Sequence, residues 1–489
     1  MNQGEWGNLV HAPLADWAHS RGDAVAIQSG VQGLTFAQLY AAVTQRCCDI
    51  VQARAPAKLM VNDALPVMDR LVDFLGIIAS GRCAVVANPD WPAVVRQTVS
   101  MSMSTQATDL SQPLPASAFY VGYTSGSTGS PKGYMRDHQS WTSSFRACLN
   151  EFGPDAGSCI LAPGKDSHSL FLFGMLLGLW TGGGVVVQEH FSAARALDTL
   201  RAGLTPCLVA VPSQLMLMVE VARHRGSAPI EAVRLILISG SRWIRARTAE
   251  LRALFPCARI IEFYGSSETS FVAWMDTDDT LPMQVVGRPF NNVEIQVRGN
   301  TNANDSSFTI GHNEHVGLIY VRSPMVFMDY VVAGDDNTAA IRDGDWLCVR
   351  DLGYLDAQGY LCLAGRQNRM IVTKGKNLFA EELEAILEMH PAIESASVHG
   401  VEDPLRGCQI VAILKLQQAP TTVWPSPLQL STWCRQSLEA YKSPRRYFVC
   451  QDWCLTASGK TDHRTLAQSL HNHLESTVLP GLPCLTPLR

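Results

Sequence analysis

The sequence predicts an α/β protein: a large N-terminal lobe of parallel-rich sheets with helices plus a β-rich subdomain, followed by a small α+β C-terminal domain. Three observations carry that expectation. Short apolar runs alternate with helical stretches over the first half, the pattern changes near Val285, and a mixed helix and strand pattern returns after Ala380. The chain's 489 residues also exceed the roughly 250–300 at which a single hydrophobic core stops growing, so two or more domains are expected.

The elements follow in order. Ala24–Gln28 is a short apolar run ending in a turn, and Leu34-Thr-Phe-Ala-Gln-Leu39 opens an amphipathic helix reaching Gln52. Val85–Ala87, Phe119–Tyr123, Gly184–Gln188, Cys207–Val211 and Leu235–Ser239 read as short buried strands with helical stretches between several of them. Such alternation belongs to parallel sheets covered by helices. Ser169 to Gln188 carries no charge and is near membrane-spanning length. Gly174, Gly178 and the run Gly182–Gly184 interrupt it, which favours a buried helix, a glycine turn and a buried strand. Beyond Val285, the segments Val293–Val297, Val316–Val321 and Tyr360–Leu363 alternate as antiparallel strands do, and Asn300–Ser307 reads as a polar loop. A helix over Ala380–His390, strands over Ala396–Gly400 and Gln409–Lys415, and a helix over Pro427–Leu438 make a compact unit of about 120 residues. The expected domains are 1–366 and 367–478, with a boundary near Arg366–Arg369. A proline-containing tail over 479–489 is expected to be poorly ordered.

Composition narrows the function. Hydrophobic residues make up 47% and charged residues 17%, which is globular rather than disordered. A net charge of −5 gives no footprint for nucleic acid or for a polybasic membrane contact. The fourteen cysteines are scattered: Cys47 and Cys48 are adjacent, Cys450 and Cys454 lie close, and neither a CxxC nor a zinc-type spacing occurs. They read as reduced thiols of a cytoplasmic protein. The first residues lack the basic and apolar regions of a secretory signal.

The most informative segment is Tyr123-Thr-Ser-Gly-Ser-Thr-Gly-Ser-Pro-Lys-Gly133, directly after the apolar run Phe119–Tyr123. Its glycines permit a tight turn and close backbone approach. Ser125, Ser127, Thr128 and Ser130 supply hydroxyls, Lys132 supplies positive charge, and successive N–H groups can form an anion-binding nest. This chemistry suits a polyphosphate. The segment lies between a strand and the helical stretch Ser140–Leu149, where a flexible linker is out of place, and it does not fit the GxxxxGK[ST] pattern.

The segment closely resembles the signature of the adenylate-forming superfamily: acyl-CoA synthetases, luciferases and nonribosomal-peptide adenylation domains, the first being nearest. The resemblance implies that Thr124, Ser125, Gly126, Ser127, Thr128, Gly129 and Lys132 bind ATP. Tyr264-Gly-Ser-Ser-Glu268-Thr resembles the family's YGxTE element, with Ser267 where Thr is usual. It implies an aromatic ring against adenine, contacts from Gly240, Gly265, Ser266 and Ser267, and magnesium held by Glu268 and Thr128. Asp343-Gly-Asp-Trp-Leu-Cys-Val-Arg-Asp351 resembles DGW…TGD, with Val349-Arg350 in place of Thr-Gly, and implies Asp351 on the ribose hydroxyls. Gly365-Arg366-Gln-Asn368 resembles the hinge element GRxD. Arg366 would contact ribose or phosphate, and Asn368 would be the pivot of a mobile C-terminal domain. Lys374-Gly375-Lys376 resembles the loop lining the thiol tunnel, with Gly375 beside the pantetheine arm and Ala380 replacing the family's proline. Thr456-Ala-Ser-Gly-Lys460 resembles TxxGK and implies Lys460 as the adenylation lysine.

The implied catalytic set is therefore Lys460, Glu268, Thr128 and Lys132. The acid is expected near His168, Ser169, Gly240 and Gly265. Amino-acid-activating relatives place an Asp where Ser169 falls, with Asp166 nearby but out of register. Because an unpaired ammonium is costly in an apolar pocket, the run Leu170–Leu179 favours an uncharged acyl or aryl acid, while an amino acid stays open. The implied cofactors are ATP, Mg2+ and coenzyme A. Alternatives are the phosphopantetheine of a separate carrier protein, or a nucleotide-binding protein without catalysis. A homodimer is compatible with the sequence; nucleic acid and a transmembrane segment are not expected.

Overall fold

Apolar runs four or five residues long can bury both faces only inside a covered sheet, and the first unit is organised around two such sheets. A computed structural model describes residues 7–91, 95–97, 99, 117–125, 131–299, 309–310, 314–331, 338–373, 376–403, 407–417, 424–456, 459–475 and 482–488. Gly126, Ser127, Thr128, Gly129, Gly375 and the expected polar loop Asn300–Ser307 lie outside the described residues. The chain forms two compact units: Met1–Leu281 with Val286–Ile295 and Val321–Leu347, and Pro282–Val285 with Gln296–Tyr320 and Cys348–Arg489.

In the first unit, the strands are β1 (Val25–Ser29), β2 (Gln32–Thr35), β3 (Lys58–Met60), β4 (Cys83–Val85), β5 (Ala118–Ser125), β6 (Pro131–Asp137), β7 (Ile160–Ala162), β8 (Val185–Val187), β9 (Cys207–Ala210), β10 (Leu235–Ile238), β11 (Arg259–Ser266) and β12 (Ser270–Asp276). One sheet includes the order β2-β1-β8-β7-β9-β10-β11-β12, with parallel pairing from β1 to β11 and antiparallel pairing at β1–β2 and β11–β12. The other runs β3-β4-β5-β6, parallel until β5 meets β6 antiparallel, and ends on the two-residue strand Asp329–Tyr330.

Among the helices, α1 (Phe36–Gln52) starts at a capping box in which Thr35 and Gln38 satisfy each other's backbone N–H groups. Its predecessor Leu34-Thr35 ends β2 rather than opening the helix. Helix α2 (Val67–Ala79) packs on α1, and α3 (His138–Phe152) is capped by Asp137, whose carboxylate accepts from Ser140 N at 2.7 Å. Helix α4 (Ser169–Trp180) is buried from Leu170 through Trp180, and Gly182–Gly184 then turn the chain into β8. The uncharged segment is thus the expected helix, glycine turn and strand; no described helix is long and apolar enough to cross a membrane. Gly183 is required at that turn, because a Cβ would lie 2.4 Å from Ser158 O.

The second unit contains Cys348–Leu355 of the strand Trp346–Leu355, paired antiparallel with Leu361–Arg366 in register Asp351↔Arg366, then the hairpin Met370–Thr373 and Lys376–Phe379. A four-stranded sheet follows, formed by Ile393–Asp403, Gly407–Leu416, Arg446–Cys450 and Leu485–Pro487. The helices Ala380–Glu388 and Pro427–Ser437 contribute to one apolar cluster with it, and His463–Leu474 to another. The tail departs from expectation. Leu485 is 4% exposed, Leu488 N donates to Tyr447 O, and Leu485–Pro487 pairs antiparallel with Arg446–Cys450. One apolar side chain with a paired backbone is enough to order a proline-containing segment.

Buried imidazole makes the first unit sensitive to acid. His138 stacks on Phe119, and its Nδ1 accepts from Val10 N at 3.1 Å, which requires the neutral ring. Burial, then neighbouring His11, lowers its pKa from the ordinary 6.5 to about 3. Between those values the unfolded chain takes a proton that the folded chain refuses, so stability present above pH 6.5 is lost as pH falls towards 3. The melting temperature should drop as pH is lowered from 6.5 to about 4, and His138→Asn should make that drop shallower. Parallel curves for the two proteins would refute the assignment.

Candidate active site

The carboxyl ends of β10 and β11, at the mouth of a parallel sheet, carry Gly240 and the Tyr264–Glu268 element. The two strands pair in parallel through Ile238↔Glu262, and Ser239 Oγ donates to Phe263 O at 3.0 Å. Gly240 has φ +91°, in the region that favours glycine. At Tyr264/Gly265 the pairing with β12 slips, and a Cβ on Gly265 would lie 1.8 Å from Ser270 O. A tight turn follows: Ser266 N donates to Thr269 Oγ1 at 3.0 Å, and Glu268 N donates to Ser266 Oγ at 3.2 Å. Tyr264, Gly265 and Ser266 therefore end β11, and Ser267 and Glu268 open the tight turn that follows it.

The phosphate-loop segment is framed differently from expectation. Thr124 pairs with Lys132, and Ser125 with Pro131, so residues 126–130 join two antiparallel strands, and β6 intervenes before the helix. The alternation in Gly133-Tyr-Met-Arg-Asp137 was the sign of that strand. Pairing fixes Lys132 on β6. Its Nζ lies 3.4 Å from the centroid of the Tyr330 ring, and Tyr330 Oη donates to Glu268 Oε1 at 3.1 Å. Lys132 and Glu268, far apart in sequence, thus share one aromatic neighbour.

Arg136 is 1% exposed and joins the same elements. Its guanidinium donates to Ser267 O at 2.7 Å, Ser270 Oγ at 2.7 Å, Met325 O at 2.6 Å and Ser140 Oγ at 3.2 Å. Burial lowers its pKa to about 10, which leaves it charged at neutral pH. Sequence reasoning did not single out Arg136 or Tyr330. A charged residue inside the alternating β6 pattern was the available signal for the first; nothing in sequence marked the second.

Around the expected acid position, Ser169 Oγ lies 3.2 Å from Ser267 Oγ, and Ser267 adjoins the hydroxyl of Tyr134. Tyr134 Oη in turn lies 3.0 Å from the buried Tyr120 Oη. Gly122 makes room for these rings, since its Cβ would lie 2.2 Å from Tyr120 Oη. His168 occupies the N-cap position of α4 with its ring against Phe171. Asp166 does not join this group. Its carboxylate takes three hydrogen bonds from Arg70 at 3.0–3.2 Å, and Arg70 also binds Glu189 at 2.9 Å. Both Arg70 and Asp166 side chains are 7% exposed, so Asp166 is an ion-pair partner.

The second unit holds Asp351, Arg366, Asn368 and Lys460. Arg366 Nε stands 3.5 Å from Asp351 Oδ1 across the paired strands. Arg350, where the family has glycine, has φ +60°, in the left-handed region that favours glycine. Gly365 faces Phe379 Cβ and Glu381 Oε2, which would lie 2.9 and 2.7 Å from a Cβ. Arg369, one residue after Asn368, binds Glu381 at 3.0 Å and Glu384 at 2.5 Å. Lys460 is exposed on a turn closed by Thr456 N donating to Lys460 O at 2.7 Å and Lys460 N donating to Thr456 Oγ1 at 3.2 Å.

A glycine-bearing segment between two antiparallel strands, an acidic turn at the mouth of a parallel sheet and a smaller second unit are features of an adenylate-forming enzyme. Comparison with known proteins agrees. The family model for AMP-binding enzymes matches residues 46–331, and that for the AMP-binding enzyme C-terminal domain matches 382–460. An uncharacterized acyl–CoA ligase of Bacillus subtilis (strain 168), YhfT, is 32% identical over 471 residues, covering 93% of this chain and 90% of its own. A 2-succinylbenzoate–CoA ligase of Arabidopsis thaliana is 29% identical, covering 80% and 78%. The o-succinylbenzoate CoA synthetase MenE of Bacillus subtilis, solved with its acyl-adenylate intermediate OSB-AMP, superposes with a TM-score of 0.76 at 22% identity, covering 93% and 97%. The chain belongs to the AMP-binding enzyme family, and its activity is that of an AMP-forming acid–CoA ligase.

The Arg70 cluster should matter to folding. Arg70→Met leaves Asp166 buried without its partner and should lower the unfolding free energy by about 3–5 kcal/mol, measured by denaturant titration. An unchanged midpoint would contradict the burial described here.

Proposed function

We propose that the chain activates an uncharged acyl or aryl carboxylic acid and passes it to coenzyme A in the cytoplasm. The observation that carries the choice of acid is the commitment of Asp166 to Arg70. With Ser169 in the neighbouring position, an α-ammonium would meet hydroxyls rather than a carboxylate at that end of α4, and burying it there would be costly.

The reaction has two halves. In the first, the acid's carboxylate attacks the α-phosphorus of ATP, forming acyl-AMP and releasing pyrophosphate. Negative charge grows on the phosphate oxygens, and Lys132 and Lys460 stabilise it. Gly240, Tyr264, Gly265, Ser266 and Ser267 hold the nucleoside, Asp351 and Arg366 its ribose, and Thr124 to Gly129 its phosphates. The carboxylate of Glu268 on its rigid turn is a hard oxygen donor that fits a magnesium ion, with the Thr128 hydroxyl as its partner. Bound there, magnesium would neutralise phosphate charge. In the second half the thiol attacks the acyl carbonyl and AMP leaves. The domain of residues 367–478 turns about Asn368 between the halves, withdrawing Lys460 and presenting Gly375 to the pantetheine arm.

Acid-dependent exchange of labelled pyrophosphate into ATP tests the reading. A panel of fatty, aryl and amino acids should give exchange with the first two classes, and Lys460→Ala should lower it on the order of 10²-fold or more. Thioester formation from pre-made acyl-AMP and free CoA should suffer far less. No exchange with any acid, equal loss in both halves, or exchange confined to amino acids would overturn it.

A further inference from the structure

Tyr330 belongs to a strand of two residues, yet that strand is secured on both sides. It pairs with β6 through Asp329↔Met135 and Tyr330↔Tyr134, and Met328 N and Val331 N donate to Met135 O and Gly133 O at 2.9 Å. Just before it, Phe327 N donates to the carbonyl of Glu268 itself at 2.7 Å. The Phe327 ring then packs edge-on against Tyr330 with centroids 4.7 Å apart, and Tyr330 N donates to Thr338 Oγ1 at 3.1 Å. The phenol is thus fixed relative to both β6, which carries Lys132, and the turn carrying Glu268.

Its two polar faces meet opposite charges. The ring's electron-rich face lies 3.4 Å from the Lys132 ammonium, and its hydroxyl donates at 3.1 Å to Glu268. A direct ion pair between a lysine and a glutamate would cancel the charge that each must present to a ligand. A cation–π contact and a hydrogen bond from a neutral phenol hold each group in place without cancelling its charge. We propose that Tyr330 is a positioning residue for Lys132 and Glu268, orienting the ammonium toward phosphate and the carboxylate toward a divalent cation. The inference rests on the roles given above to Lys132 and Glu268.

The two halves of the contact can be separated. Tyr330→Phe keeps the ring beneath Lys132 and deletes the hydroxyl; Tyr330→Leu deletes both. Full-length proteins would be titrated with Mn2+, read by electron paramagnetic resonance, in the presence of a non-hydrolysable ATP analogue. Analogue binding without divalent ion would be read by calorimetry. Tyr330→Phe should weaken Mn2+ binding by about 3–10-fold while leaving metal-free analogue binding at the wild-type value. Tyr330→Leu should weaken both, the metal-free binding by about 2–5-fold. A general packing defect would move both quantities in both variants and would overturn the proposal, as would wild-type Mn2+ affinity in Tyr330→Phe. Glu268→Gln separates the two levels: if it binds Mn2+ like wild type, the role given to Glu268 fails and takes the inference with it. If it binds weakly while Tyr330→Phe does not, only the inference about Tyr330 fails.

Discussion

One buried guanidinium holds the first unit's site elements in register. Arg136 satisfies two backbone carbonyls and two hydroxyls that come from the acidic turn, the segment at Met325 and the start of α3. Removing an arginine from water is expensive, and only dense hydrogen bonding offsets it. The site therefore forms as a set: if the turn at Ser267 moves, the guanidinium loses partners, and β6 with Lys132 loses its anchor. Glu268, one residue along the turn, adds a favourable charge to Arg136 from a distance. This arrangement gives the Glu268 carboxylate and the Lys132 ammonium fixed positions around Tyr330.

Much of this was legible in sequence, for physical reasons that differ by residue. Gly265 and Gly365 could be read because a side chain is sterically impossible there, and such positions leave a glycine in the motif. The helix, glycine turn and strand from Ser169 to Gln188 could be read because glycines break an uncharged run at turn positions. Arg350 shows a limit in the other direction. Standing where glycine is usual, it adopts a left-handed backbone, which non-glycine residues occupy at modest cost.

What escaped the sequence was made by tertiary contact. The partners of Arg136 come from segments as far away as Met325, and no local period announces them. Tyr330 acquires its place from pairing with β6, a strand hidden between two stronger patterns. Asp166 sat near the position of a substrate-binding acid, and only the packing of α2 against its segment shows that Arg70 claims it. In the tail, burial of Leu485 and pairing with Arg446–Cys450 outweigh the prolines.

Nucleotide position decides the account. A crystal structure of the full-length enzyme with Mg2+ and a non-hydrolysable ATP analogue should place the phosphates along residues 124–132 within reach of the Lys132 ammonium, with the metal on a Glu268 oxygen and adenine beside Tyr264. Phosphates bound away from β5 and β6, or a Glu268 carboxylate turned from both metal and nucleotide, would contradict it.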